Sequence, residues 1–504
     1  MIALTAAEIA DITHGRLTGD SDIAPVSVVT DSREATAGSL YVAKPGEHAD
    51  GHDYIGAAFS RGAVLTLSER EVLGEDGQPY PAVVVDDAVA AMGALAAESV
   101  RRIRAIRAQR GEDFTVIGIT GSAGKTTTKD LLAGILSRAG STVAPQGSYN
   151  GEVGVPLTVF EATADTRYLV IEMGATGVGH ISYLAGMVRP EIGVVLGVGT
   201  AHAGEFGGVD NIAKAKGELL EALPASGTAI INLDDSRVAA MRPRTTAKVL
   251  GFSADPSADA DAGAAVQATV QARNVTVNAG GHPCFDLVLP DGGPAVPVAS
   301  RLIGAHHVTN LLAAAAAASA AGIPASDIAE SLSGQAAASR WRMERTERAD
   351  GVTIINDAYN ANPESMRAAL RTLADLGQGR RTWAVLGAML ELGEDSIREH
   401  TAVGTQVVRL NISRLVVVGR PARSLYISAI QEGSWGDECS FTETLDEAYE
   451  LLQAELQPGD LVLFKSSNGV GLRHLGDRIA LPPQAKATGE LAAEAAATEG
   501  KELL

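Results

Sequence analysis

Residues 115–136 read TVIGITGSAGKTTTKDLLAGIL, and no other stretch constrains the fold as strongly. A run of buried-strand character ends in Gly121, Gly124, Lys125 and Thr126 and passes straight into an amphipathic helical pattern. Glycine lets the backbone wrap close to phosphate oxygens. The start of the helix adds free N–H groups and the positive end of its dipole. Lys125 suits the β- and γ-phosphates of a nucleoside triphosphate, and the Thr126 hydroxyl suits Mg2+. Loops of this type usually carry glycine where Ile119 stands; the glycines here are at 118 and 121, so the loop is a variant.

The rest of the chain divides around this loop. At 504 residues it is too long for one core, and about three domains are expected. Residues 1–106 alternate short apolar runs (VSVVTDSR, SLYVAKPG, GAVLTLS, AVVVDD) with helical patterns at 5–13 and 88–103, which reads as a small α/β domain. The basic cluster Arg101, Arg102, Arg104, Arg107 and Arg110 marks a helix end and a link. Residues 107–336 hold continuous apolar runs (TVIGIT, YLVIEMG, IGVVLGVG, GTAIINLDD), the pattern of parallel strands covered on both faces. Alternating VQATVQARNVTV and FDLVLP within 253–300 predict an antiparallel excursion, and an alanine-rich helix closes the section at about 307–321. A further parallel α/β sheet is expected over 337–481. The low-complexity residues 482–504 are expected to be a disordered tail.

Charge narrows the function. Acidic residues number 61 against 41 basic ones, so the average field repels nucleic acid. Two distant cysteines, Cys284 and Cys439, make no disulfide framework. The N-terminal residues lack a secretory pattern and no apolar run is long enough to span a bilayer, so a cytoplasmic protein is expected. A guanine-reading N-K-x-D motif is missing, since INLDD (231–235) has no lysine, and this weakens a switch-GTPase reading.

Four later positions are candidates for the nucleotide's partners. Glu172 ends an apolar strand just before Gly174, where a carboxylate either meets a metal or caps the next turn. His202 stands at another strand end, where a lone histidine is more often structural than a ligand. Lys214 and Lys216 share a helix but point to nearly opposite sides, so at most one faces the site.

In order, TGSAGKTTT, NGEVGVPLTV (150–159), EMGA (172–175), HAGEFGG (202–208), AKAKGE (213–218), GAHHVTNLLAAAA (304–316), INDAYNANPESMRAAL (355–370) and KSSNGVGLRH (465–474) resemble the Mur ligases, with DAYNANPESM the most specific of them. The resemblance implies three domains: a small N-terminal α/β domain for the UDP end of the substrate, a central P-loop ATPase domain, and a mobile C-terminal Rossmann-like domain. It implies a monomeric ATP-dependent amide ligase that joins D-alanyl-D-alanine to UDP-N-acetylmuramoyl-tripeptide through an acyl phosphate. Asp31, Ser32, Arg33, Lys44, Gly46 and Glu47 would hold the UDP end, and Asn150 would lie near the muramoyl group. Gly121, Ser122, Ala123, Gly124, Lys125, Thr126 and Thr127 would hold the triphosphate. Glu172 and His202 would ligate Mg2+, and Lys216 matches a lysine that the family carries as a carbamate for a second Mg2+. Asn310 and His306 match a pair near the adenine. Asp357 would bind the ATP ribose side, and Arg340 or Arg342 would reach the phosphates. Tyr359, Asn360 and Asn362 would line the dipeptide's entry, with Lys465 and Ser466 beside them.

The chain departs from the family pattern at Gly151 and His307, where asparagine is usual, and at Ala388, where the family has aspartate. No residue stands out as acid or base for the attacking amine. Two rivals stay open at this point. One is a sister ligase, adding the stem's third residue or glutamate to a folate. The other is a nucleotide-binding switch that forms no bond.

Overall fold

The phosphate-loop strand, Thr115–Thr120, lies between Tyr168–Glu172 on one side and Ile192–Val195 on the other, parallel to both. Burial of all but its first residue explains the unbroken apolar run in its sequence. These strands belong to a nine-stranded sheet in a computed structural model that describes residues 1–46, 49–199, 206–255, 268–433 and 437–481. The sheet continues in parallel through Thr228–Asn232, Lys248–Ser253 and Ala268–Val277. Pro283–Val288 and Val296–Ala299 then add two antiparallel strands at its edge. The expected antiparallel excursion therefore widens the central sheet, and its first strand joins in parallel.

Helix His307–Ala320 covers one face of this sheet, with every residue from 311 to 318 buried. Its alanine run over 313–318 has no bulky side chains to hold it off, and the helix packs close to both the strands and the phosphate-loop helix Lys125–Ser137. On the opposite side, helix Ala88–Gln109 packs against helices Gly154–Glu161 and His180–Val188. Met92, Leu95, Val100 and Ile103 of that helix share one apolar cluster with Leu40, Leu65 and Val83 of the N-terminal strands and with Val116, Leu169 and Ile171 of the central sheet. The two regions thus share a core, and the division expected at 106–107 falls inside the helix.

The N-terminal sheet has five strands in the order Arg16–Thr18, Ala82–Val84, Ala63–Ser68, Ser39–Val42, Ser27–Val29, antiparallel only at the first pair. The C-terminal sheet has six, with Leu461–Lys465 between Thr353–Asn356 and Thr382–Leu386, and only Glu344–Glu347 antiparallel. Among the described residues no helix is long and apolar enough to cross a membrane, and Cys284 and Cys439 are free thiols. The tail expected over 482–504 lies outside the described residues.

Candidate functional site

The phosphate loop turns at Gly124, whose φ of 82° is a conformation that glycine adopts without strain. It is the N-cap of helix Lys125–Ser137, and no side chain caps that end, which leaves it open to an anion. The Lys125 ammonium folds back to donate to the Gly121 carbonyl at 2.9 Å. Burial lowers its pKa, opposed by the Glu172 carboxylate. A Cβ on Gly124 would overlap the amide oxygen of Asn310. Gly124→Ala is therefore expected to weaken ADP binding by about 1–3 kcal/mol, roughly 5–150-fold, as read by calorimetry; unchanged affinity would contradict this geometry.

Thr126 and Glu172 meet beneath the loop. The Thr126 hydroxyl donates to Glu172 Oε2 at 3.0 Å, and Asn150 Nδ2 donates to Glu172 Oε1 at 2.8 Å. Glu172 is 1% exposed. A buried carboxylate beside a hydroxyl, at the foot of a phosphate loop, is a hard-oxygen donor set that fits Mg2+. Ser148 Oγ lies 2.9 Å from Thr126 Oγ1, and Arg342 Nη2 donates to both hydroxyls at 3.1 Å. Arg342 is thus the arginine that crosses the cleft, while Arg340 pairs with Asp477 and Glu344. Trp341 and Met343, on either side of Arg342, have φ of 58° and 52°, a left-handed backbone that bulky residues rarely adopt. The surroundings impose it: Trp341 N–H donates to Glu344 and Met343 N–H to Asp357, and the Arg342 guanidinium lies over the Tyr359 ring at 4.5 Å.

Of the two helix lysines, Lys214 is exposed and Lys216 is buried and faces the cleft. Burial, helped by the nearby Lys125 charge, pushes the Lys216 ammonium down to about 7. An appreciable fraction is then a neutral, nucleophilic amine.

Across the cleft, Lys465 Nζ pairs with Asp357 Oδ2 at 2.6 Å and donates to the Asn360 carbonyl at 3.0 Å. Asn362 caps helix Pro363–Leu376 and its Nδ2 reaches the Ser122 carbonyl at 3.3 Å. Asn310 Nδ2 lies 3.1 Å from His307 Nδ1. Burial holds His306 down to about 4 and His307 well below the usual histidine range, so both are neutral. Together these groups line one cleft of about 1030 Å³.

The chain is 42% identical over 515 aligned positions to the UDP-N-acetylmuramoyl-tripeptide–D-alanyl-D-alanine ligase of Mycobacterium bovis, an alignment covering 95% of this chain and 98% of that one. The chain belongs to the Mur ligase family. Residues 26–109, 119–318 and 341–468 match the Mur ligase catalytic, middle and glutamate ligase domains, respectively. Among solved structures, MurF from Acinetobacter baumannii superposes with a TM-score of 0.80 at 30% identity, covering 95% of this chain and 99% of that one. MurF from Thermotoga maritima in complex with ADP gives 0.73 at 25% identity, covering 90% and 97%.

Within this Mur ligase cleft lie Gly121 to Thr127, Asn150, Glu172, Lys216, His306, Asn310, Arg342, Asp357, Tyr359, Asn360, Asn362 and Lys465, with Lys44 from the N-terminal domain. Ser32, Arg33 and Gly46 do not line it: Ser32 is buried in the N-terminal domain, and the Arg33 guanidinium forms a bidentate pair with Asp31. His202 and Glu47 lie outside the described residues. Ser148, Asp235 and Glu364 also line the cleft and were not singled out from sequence. Ser148, two residues before Asn150, was the most accessible of these to inference. Asp235 and Glu364 stand in first-turn or capping positions that read as ordinary helix starts.

Proposed function

We propose that this Mur ligase joins D-alanyl-D-alanine to UDP-N-acetylmuramoyl-tripeptide with consumption of ATP. Support comes from the meeting, in one cleft, of the phosphate loop and Glu172 on the central domain with the Asp357–Lys465 pair, Tyr359, Asn360 and Asn362 on the C-terminal domain. The tripeptide's terminal carboxylate attacks the γ-phosphorus of ATP, ADP leaves, and an acyl phosphate forms. The dipeptide amine then attacks the acyl carbon, the C–O bond to phosphate breaks, and amide and inorganic phosphate are released with the amine's proton. Two anions meet in the first step, so Lys125, Arg342 and the helix N-terminus must offset their repulsion. The Asn362–Ser122 contact holds the C-terminal domain over the loop, where it keeps water from the acyl phosphate.

In this reading Thr126, Glu172 and a carbamate on Lys216, with His202, would hold two Mg2+ ions, which would supply Lewis-acid polarisation of the phosphate oxygens. Asn310 and Asp357 take the nucleoside end of ATP. Ser32, Arg33, Lys44 and Gly46 take the UDP end, and Asn150 the muramoyl side. Lys465, Tyr359, Asn360 and Asn362 face the dipeptide. The test is phosphate release by the purified protein with each substrate left out in turn. Release needing ATP, UDP-muramoyl tripeptide and D-alanyl-D-alanine together, with a product of pentapeptide mass, is expected. Turnover with a diamino acid or glutamate in place of the dipeptide, or no turnover at all, would overturn the proposal.

A further inference from the structure

Lys129 is buried on the phosphate-loop helix, yet it takes no part in the chemistry above. An ammonium has three N–H donors; two are matched here by the Pro145 carbonyl at 2.7 Å and the Gly147 carbonyl at 3.1 Å, and Asp130 Oδ1 pairs with the charge at 2.6 Å. A buried ion pair adds little net stability over well-packed apolar residues. What this pair does supply is direction. Pro145 and Gly147 belong to a stretch with no helix or strand, and three residues after Gly147 comes Asn150. Nothing periodic fixes that stretch: the Gly174 N–H donates to the Asn150 carbonyl at 2.8 Å at its far end, and the rest is held by side chains. Lys129 grips it at one end. At the other, Ser148 meets Thr126 and Asn150 donates to Glu172.

Asp130 extends the network. Its second oxygen, Oδ2, accepts from Ser339 Oγ at 2.6 Å. Ser339 stands three residues before Arg342, whose guanidinium reaches Thr126 and Ser148. The chain entering the C-terminal domain therefore touches the 145–150 stretch by two routes, one through Asp130 and Lys129 and one through Arg342.

We propose that Lys129 is a positioning residue for ligation: with Asp130 it holds the 145–150 stretch on the phosphate-loop helix, in register with the segment that carries Arg342, so that Asn150 and Ser148 meet Glu172 and Thr126. The inference rests on the ligase reading above. Lys129 acts through Asn150 and Ser148, so its loss displaces them, and displacements of about 1 Å at such groups lower rates by roughly 100-fold.

The experiment uses the full chain and the variants Lys129→Met, Asp130→Asn, Asn150→Ala and the double variant Lys129→Met/Asn150→Ala. Lys129→Met keeps the length of the side chain and removes its donors. It is expected to raise KM for the muramoyl tripeptide about tenfold or more and to lower kcat, with ADP affinity by calorimetry within about twofold of wild type. Asp130→Asn is expected to move the same two parameters in the same direction by about threefold, and it keeps the test open if Lys129→Met does not fold. The double variant should be no more than about twofold worse than the poorer single one, because both changes act on one unit. Independent, multiplying losses would overturn the proposal, as would an equal fall in ADP affinity or unmoved kinetics in both Lys129→Met and Asp130→Asn. An inactive wild type would instead overturn the ligase reading.

Discussion

Lys125→Ala is expected to lower kcat for ligation by about three orders of magnitude, equivalent to about 4 kcal/mol of transition-state stabilisation. The ammonium rests on the Gly121 carbonyl, within the field of Glu172 and Arg342, in the cradle proposed to receive the triphosphate. When a carboxylate attacks a γ-phosphate, negative charge builds where this ammonium can reach, and burial makes each such charge worth more than in water. Arg342 is already engaged with Thr126 and Ser148 and reaches the loop from the other domain, so it does not replace the lysine. Arginine at 125 would not restore activity either, since a planar fork cannot substitute for a compact ammonium beneath a tight loop. Phosphate release at saturating substrates measures the effect. A rate within about tenfold of wild type would mean that the loop does not drive phosphoryl transfer.

What could be read from sequence follows from which signals are local. The parallel strands were legible because a strand covered on both faces becomes an unbroken apolar run, as in YLVIE and IGVV. The loop was legible because glycines, lysine and hydroxyls fall at a strand-to-helix junction. The choice between Lys214 and Lys216 was half legible: periodicity separates their faces, but only packing says which face is inward. Helix Ala88–Gln109 concealed its role, because a helix within a core that two sheets share is apolar on a broad face that reads like any domain-ending helix. Lys129 and Ser148 were missed for a related reason. A lysine on a helix usually reaches solvent and a serine in a glycine-rich loop usually makes a turn, and here their partners lie 16 and 22 residues away. Interactions that need a chain reversal leave no periodic trace.

The same distinction makes Lys216 informative, because its burial pulls stability and activity in opposite directions. In the unfolded chain its amine titrates near the ordinary 10.5, and in the folded protein near 7. Below pH 7 both states carry the proton, and the fold bears the whole burden of a buried ammonium. Between pH 7 and 10.5 the unfolded state holds the extra proton, so stability from this group rises with pH until the burden vanishes. Lys216→Met removes the ammonium. In CO2-free buffer it is expected to raise stability at pH 6.5 by on the order of a few kcal/mol, with the gain shrinking toward zero near pH 10.5. Urea unfolding at the two pH values measures this, and an equal gain at both would sink the account. Activity should move the other way. A neutral Lys216 amine can add to CO2, releasing a proton and leaving a carbamate in the cleft that Glu172 also lines. The methionine variant cannot do this, and its kcat is expected to fall by about 100-fold or more. Bicarbonate added to CO2-stripped wild type should restore turnover and should leave Lys216→Met unchanged. If bicarbonate has no effect on the stripped wild type, the buried amine serves ligation without the carbamate, and the two effects of this lysine must be explained separately.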